Sequence, residues 1–149
     1  MSFAKLSLKG RALKLLASRE HSRQELTRKL TRHVEEGDDL PRILDELEAK
    51  GFIDEQRVVE SVVNRRARRL GAGRVRQEMQ AKGLSQEAIA EAVSALEETE
   101  VERARAVWKK KFGEPADDPQ GRAKQMRFLA SRGFAPGAIR KVVSGGDED

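Results

Sequence analysis

The chain has 149 residues, 38% of them hydrophobic and 37% charged, with 30 Lys and Arg against 25 Asp and Glu, a net charge of +5 and no cysteine. That length allows one domain or a short array of small units, and the lack of cysteine excludes disulfides and thiolate metal sites. No apolar run approaches the roughly 18 residues of a membrane span, and Met1 to Gly10 lacks the apolar core of a signal peptide, so a cytoplasmic protein without a membrane partner is expected.

Helical spacing runs the length of the chain. Leu8, Ala12, Leu15 and Leu16 make the first stripe. Ser22 and Glu25 form a capping box that opens a second helix, with Leu26, Leu30 and Val34 on one face. After the loop Glu35–Asp39, a third helix starts near Leu40 with Pro41 in its first turn, buries Leu40, Ile43, Leu44 and Leu47, and ends at Gly51. Asp54 caps a fourth over about 55–70, with Val59, Val62, Val63, Ala67 and Leu70 inward. Gly71-Ala72-Gly73 breaks the pattern, Val75 and Met79 face inward on a fifth, and Gly83 stops it. Ser85 caps a sixth carrying Ala88, Ile89, Ala92, Val93 and Leu96. The spacing of Thr99 and Glu102 predicts a second capping box, opening a seventh helix with Val101, Ala104, Trp108 and Phe112. Asp118-Pro119 starts an eighth with Met126, Leu129 and Ala130, and Pro136 a ninth with Ile139, Val142 and Val143. No stretch alternates as a strand would.

Two of these junctions repeat. Lys82-Gly83-Leu84 is followed by Ile89 and Val93, and Arg132-Gly133-Phe134 by Ile139 and Val143. Repetition at this period points to stacked helical units, which present extended surfaces rather than pockets. The expected fold is all-α, with three tandem three-helix repeats in an elongated array. The units are placed at 1–52, 53–97 and 98–145, with a disordered tail at 146–149. Each unit of about 45 residues is marginal alone, so packing between units matters.

Charge falls in blocks. Residues 1–32 carry nine basic and two acidic side chains, and residues 35–60 ten acidic and three basic. Residues 65–76 hold Arg65, Arg66, Arg68, Arg69, Arg74 and Arg76 with no acid, and six glutamates fill 86–102. No acid four residues away neutralises Arg65, Arg66 or Arg69, and unpaired like charges on one helix cost stability. Phosphate or an acidic protein surface is the expected partner of this cluster. Lys109, Lys110 and Lys111, with Arg103 and Arg105, extend the basic strip on the seventh helix, and Arg122, Lys124, Arg127 and Arg132 on the eighth. Without tyrosine, and with Trp108 on an apolar stripe, base stacking is poorly supported. Nucleic-acid contact is expected through the backbone, without sequence readout.

Gly71-Ala72-Gly73 with Arg74 and Arg76 has two readings: a helix–helix turn, or a turn that also aims first-turn N–H groups and Arg74 at a phosphate. It is neither a P-loop nor a dinucleotide fingerprint, since no Gly-Lys-Ser/Thr occurs and a helix precedes it. The two histidines, His21 and His33, have no ligand spacing. No catalytic residue, metal site or cofactor is expected, and the chain is read as a binder and not an enzyme.

Arg23-Gln24-Glu25-Leu26 with Lys29-Leu30, then Leu47-Glu48-Ala49-Lys50-Gly51-Phe52-Ile53-Asp54-Glu55, then Gly73-Arg74-Val75-Arg76-Gln77-Glu78-Met79 with Lys82-Gly83-Leu84, and Arg127-Phe128-Leu129 with Arg132-Gly133-Phe134, resemble the bacterial RecX family in order and spacing over about 10–143. Glu55 stands where the family usually has a second aspartate, and the Leu70–Gly73 turn lacks an aromatic often found there. The resemblance implies that the three-repeat array is curved, and it implies a regulator of the RecA recombinase that lies in the groove of the RecA–single-stranded DNA filament. It further implies inhibition of RecA's ATP hydrolysis, strand exchange and co-protease activity, with a monomer as the expected state. Two rivals are a sequence-nonspecific DNA-binding protein acting without RecA, and a purely structural helical adaptor.

Overall fold

Side-chain caps set most of the helix starts. Ser7, Ser22, Asp39, Asp54, Ser85 and Asp118 each accept a first-turn amide, and Ser22 and Glu25 complete the reciprocal box. A computed structural model describes residues 5–144, so the tail assigned to 146–149 lies outside the described residues. Nine α-helices and no strand are found among the described residues: α1 (Leu8–Ser18), α2 (Arg23–Leu30), α3 (Leu40–Ala49), α4 (Glu55–Arg66), α5 (Ala72–Ala81), α6 (Gln86–Glu98), α7 (Glu100–Lys111), α8 (Pro119–Ser131) and α9 (Pro136–Val143). None is long and apolar enough to cross a membrane.

The apolar faces close into three separate cores in chain order. Leu8, Leu26, Leu30, Leu44, Leu47 and Ile53 fill the first, within α1–α3 and the turn after it. Val58, Val62, Val75, Met79, Ile89 and Val93 fill the second, within α4–α6. Trp108, Leu129, Phe134, Ile139 and Val142 fill the third, within α7–α9. The three bundles therefore form a row, not layers around one centre.

Four expected details differ. Val34 does not share the α2 face: the helix tightens into a one-turn 3-10 helix over Thr31–His33, and Val34 is 41% exposed. The fourth helix stops at Arg66 and not at 70, and Leu70 reaches the core from the following turn only half-buried. Thr99 makes no cap. Its hydroxyl instead accepts from Arg103 Nε and donates to the Leu96 carbonyl. On α8 the buried stripe is rotated, leaving Met126 and Ala130 exposed and Gln125 inside. Gln125 Oε1 accepts from Trp108 Nε1 at 2.9 Å and its Nε2 donates to the Glu114 carbonyl, so a polar side chain belongs in that core because both ends are satisfied.

The repeated basic–glycine turn is the joint between bundles. The carbonyl of Lys82, at the end of α5, accepts from Ser22 Oγ, the cap of α2, at 2.6 Å. The carbonyl of Arg132, at the end of α8, accepts from the Gly71 amide, the cap of α5, at 2.7 Å. One residue earlier, the Ala81 carbonyl accepts from Arg28 and the Ser131 carbonyl from Arg74. The middle helices thus meet end to end, each carboxyl terminus against the amino terminus of the middle helix before it. Orphan carbonyls meet the donors of the facing cap, a serine hydroxyl at the first joint and a backbone amide at the second, and the helix dipoles align head to tail.

Acids lock both joints. Glu25 accepts from Arg19, Lys82 and the Ser22 amide. Burial works to raise its pKa, but those donors outweigh burial and hold it at about 2. Glu100 is 5% exposed and accepts from the amides of Ala72 and Ala135 and from Arg103. Within the second bundle, Glu55 does for the Ser85 amide what Glu100 does for Ala135 in the third. Both acids open the first helix of their bundle and hold the amino terminus of the third.

Gly133 has φ +89, and an added Cβ would lie 2.6 Å from the Arg74 backbone nitrogen. Gly37 has φ +90 and open space around it. Gly37→Ala should therefore cost only the left-handed backbone penalty, about 1–2 kcal/mol, and Gly133→Ala about 1–3 kcal/mol more from forced overlap. Urea unfolding compares them; equal costs would show that the second joint is not packed. The depressed Glu25 pKa also predicts a sign. The unfolded chain holds the proton at higher pH than the folded one, so this contribution is complete above pH 4.5 and lost as pH falls toward about 2. Glu25→Gln should lower the melting temperature at neutral pH and flatten its fall across that window, as followed by circular dichroism.

Candidate functional site

The central arginines divide by what holds them. Arg65 and Arg66, in the last turn of α4, both reach Glu78 on α5, at 3.2 and 2.8 Å. The neutralising acid that was absent at four residues' distance comes from the next helix, so these two brace α4 against α5. Arg68 and Arg69 stand in the turn after α4, exposed and in no ion pair among the described residues, and Arg76 on α5 is likewise exposed and unpaired.

The glycine turn at Gly71–Gly73 is a helix junction, and its amides have no room for a phosphate. The Gly71 and Gly73 amides donate to the Arg132 and Gly133 carbonyls, and the Ala72 amide to Glu100. Arg74 spends Nη1 on the Ser131 carbonyl at 2.7 Å. The same turn gathers other candidates. Arg132 lies over the Phe128 ring at 4.9 Å and Lys111 over it at 5.4 Å, so Arg74, Arg132 and Lys111 converge on the end of α8. Lys109 and Lys110 are exposed in the last turn of α7, but consecutive helical residues fan by about 100°, so the three lysines cover a wide arc and not one strip. Arg127 is exposed on α8.

The ion pairs are distributed unevenly. Residues 98–144 hold eleven basic and six acidic side chains, yet Arg103–Glu100 is the one ion pair in that span among the described residues. In the first bundle, acids from α3 and its preceding loop take up Lys5, Lys9, Arg23 and Lys50. The third bundle thus presents cations that enter no ion pair among the described residues. On the second bundle, Glu87, Glu91, Glu97 and Glu98 of α6 are exposed and unpaired among the described residues, giving a surface of opposite sign. Such two-signed surfaces steer and orient charged partners.

Arg103 carries a role that the sequence reading missed. It reaches the carbonyls of Ala67, Leu70 and Leu96 as well as Glu100. The sequence places it on the outward basic strip of the seventh helix, but Glu100 and these carbonyls draw it inward. Among the described residues no group of three or more His, Asp or Glu is placed to hold a metal. His21 is buried, with Nδ1 on the Arg19 carbonyl and Nε2 on Lys29 Nζ, and burial lowers its pKa.

The model of the second three-helix domain of RecX matches residues 54–93, and that of the third matches 98–143. A regulatory protein RecX of Leptothrix cholodnii is 49% identical over 144 residues, 97% of this chain and 92% of that protein. One of Herminiimonas arsenicoxydans is 49% identical over 149 residues, 100% of this chain and 99% of that protein. The crystal structure of RecX from Lactobacillus salivarius superposes with a TM-score of 0.77 at 18% identity, covering 94% of each chain, a likeness of fold.

Structural and surface arginines should separate on substitution. Arg103→Ala leaves a buried carboxylate short of its cation and should cost about 3 kcal/mol or more. Arg68→Glu with Arg69→Glu should change stability by at most about 0.5 kcal/mol per site. Urea unfolding measures both, and a large loss in the double variant would make those arginines part of the fold.

Proposed function

The chain belongs to the RecX family, and on that premise we propose that it is a non-catalytic, cytoplasmic regulator that binds RecA and the RecA–single-stranded DNA filament. Its effect is mainly inhibitory, on RecA's ATP hydrolysis, strand exchange and co-protease activity. It acts as a monomer, with units at 1–52, 53–97 and 98–145. The observation that carries this reading is the set of outward cations that the fold does not use. Arg68, Arg69 and Arg76 on the second bundle, and Lys109, Lys110 and Arg127 on the third, are exposed and enter no ion pair among the described residues. In this reading they contact phosphate or acidic protein surface, while Arg65, Arg66, Arg74, Lys111 and Arg132 shape the surface around them.

A row of bundles with cations on one part and α6 carboxylates on another suits a filament of protein and nucleic acid better than bare DNA. Phosphates are drawn to the first surface and repelled by the second. The alternative, sequence-nonspecific DNA binding without RecA, draws on the same third-bundle cations and predicts equal affinity for naked and RecA-coated strands.

The test is RecA's DNA-dependent ATPase with the protein added at stoichiometric amounts. The expected result is a fall in hydrolysis that weakens about tenfold or more in the Arg68→Glu, Arg69→Glu variant, given the worth of close charge pairs. Binding to coated and bare strands at two salt concentrations separates the two readings. No effect on the ATPase, together with equal binding to bare DNA, would move the assignment to the alternative.

A further inference from the structure

The N-terminal block of positive charge plays no part in the surface above. The structure sorts its cations. Lys5, Lys9, Arg19 and Arg23 are held by Glu35, Glu46, Glu25 and the pair Asp45 and Glu48. Arg11, Lys14, Lys29 and Arg32 enter no ion pair among the described residues, and together with His33 they rim a single open groove of about 540 Å³ along α1 and the end of α2. No carboxylate lines it. Glu35 and Asp38 border the adjoining depression instead.

Two further features mark the groove as built. Its floor is aliphatic: Leu15 and Leu30 continue the first core outward, and Leu6, 48% exposed, stands at the edge. Its rim is partly anchored, because Lys29 Nζ sits 3.0 Å from Nε2 of the buried His21, which keeps the ammonium in place without offsetting its charge. Partial burial and the charges of Arg11 and Arg32 lower the pKa of His33, which favours its neutral form, so the positive charge of the rim comes from Arg11, Lys14, Lys29 and Arg32.

We propose that this groove docks an acidic amphipathic protein segment, with apolar side chains on the leucine floor and carboxylates against the cationic rim. Charge complementarity selects the acid. The floor selects protein over nucleic acid, since it is aliphatic and no Phe, Tyr or Trp lines the groove as a platform for bases. An amphipathic helix laid into a groove places anchors at helical spacing and leaves its charged flanks to meet the rim.

The probe is a synthetic peptide with leucine at helical spacing and glutamate elsewhere, titrated into the full-length protein and followed by amide chemical shifts. Shifts should centre on Leu15, Ser18, Leu30 and His33. A scrambled peptide of the same composition should bind about tenfold more weakly, as should the Lys14→Glu, Arg32→Glu variant to the ordered peptide. Leu6→Ser, which leaves the charge and the buried core intact, should weaken binding several-fold and keeps the test open should the charge variant fail to fold. Equal binding of the scrambled peptide, shifts centred elsewhere, or stronger perturbation of the same amides by an oligothymidylate would each overturn the proposal.

Discussion

Everything in this molecule hangs on how one middle helix ends against another. Lys82 and Arg132 terminate α5 and α8 with free carbonyls, and the caps of α2 and α5 supply the donors. Neither bundle end leaves those groups to water. Because each joint satisfies backbone groups that a short helix cannot satisfy itself, three bundles that are marginal alone gain from being adjacent. The joints also spend charge in a directed way. Glu25, Lys82, Glu100 and Arg103 are drawn inward, and what remains outside is what a partner meets.

That division separates arginines that look alike in sequence. Arg65 and Arg66 are struts onto Glu78, Arg103 ties three carbonyls and a buried carboxylate, and Arg74 holds the end of α8. Arg68, Arg69 and Arg76 do none of this. These are cations that the fold can do without, placed where a change of partner leaves the cores undisturbed. The acidic α6 face gives the molecule polarity, so that it can be oriented by a surface carrying both signs.

Helix order, the three cores and most caps were legible because they are written in local patterns: Ser22 with Glu25, Asp54, Ser85, and the stripes of Leu40, Leu44, Leu47 and of Ile89, Val93, Leu96. Failures came where a distant partner overrode the local pattern. Thr99 and Glu102 have capping-box spacing, but Arg103 claims the Thr99 hydroxyl. Met126 lies on a plausible stripe, yet Trp108 and the Glu114 carbonyl draw Gln125 inward in its place. The basic–glycine repeat was visible as a repeat, but its purpose was not, because the atoms it meets lie some sixty residues away in each case. The charged surface was legible only in part. Blocks of like charge are evident in sequence, and which members are neutralised across helices depends on packing that no local window contains.

The most direct measurement is hydrogen exchange at the Gly71 and Gly73 amides under native conditions. Both donate only across the second joint, to the Arg132 and Gly133 carbonyls. If end-to-end docking of the middle helices holds the row together, the two amides exchange slowly and lose that protection selectively in Gly133→Ala while amides within α8 keep theirs. Rapid exchange of both amides in the unaltered protein, with α5 and α8 themselves well protected, would mean that the bundles are merely tethered and that the account of the joint is wrong.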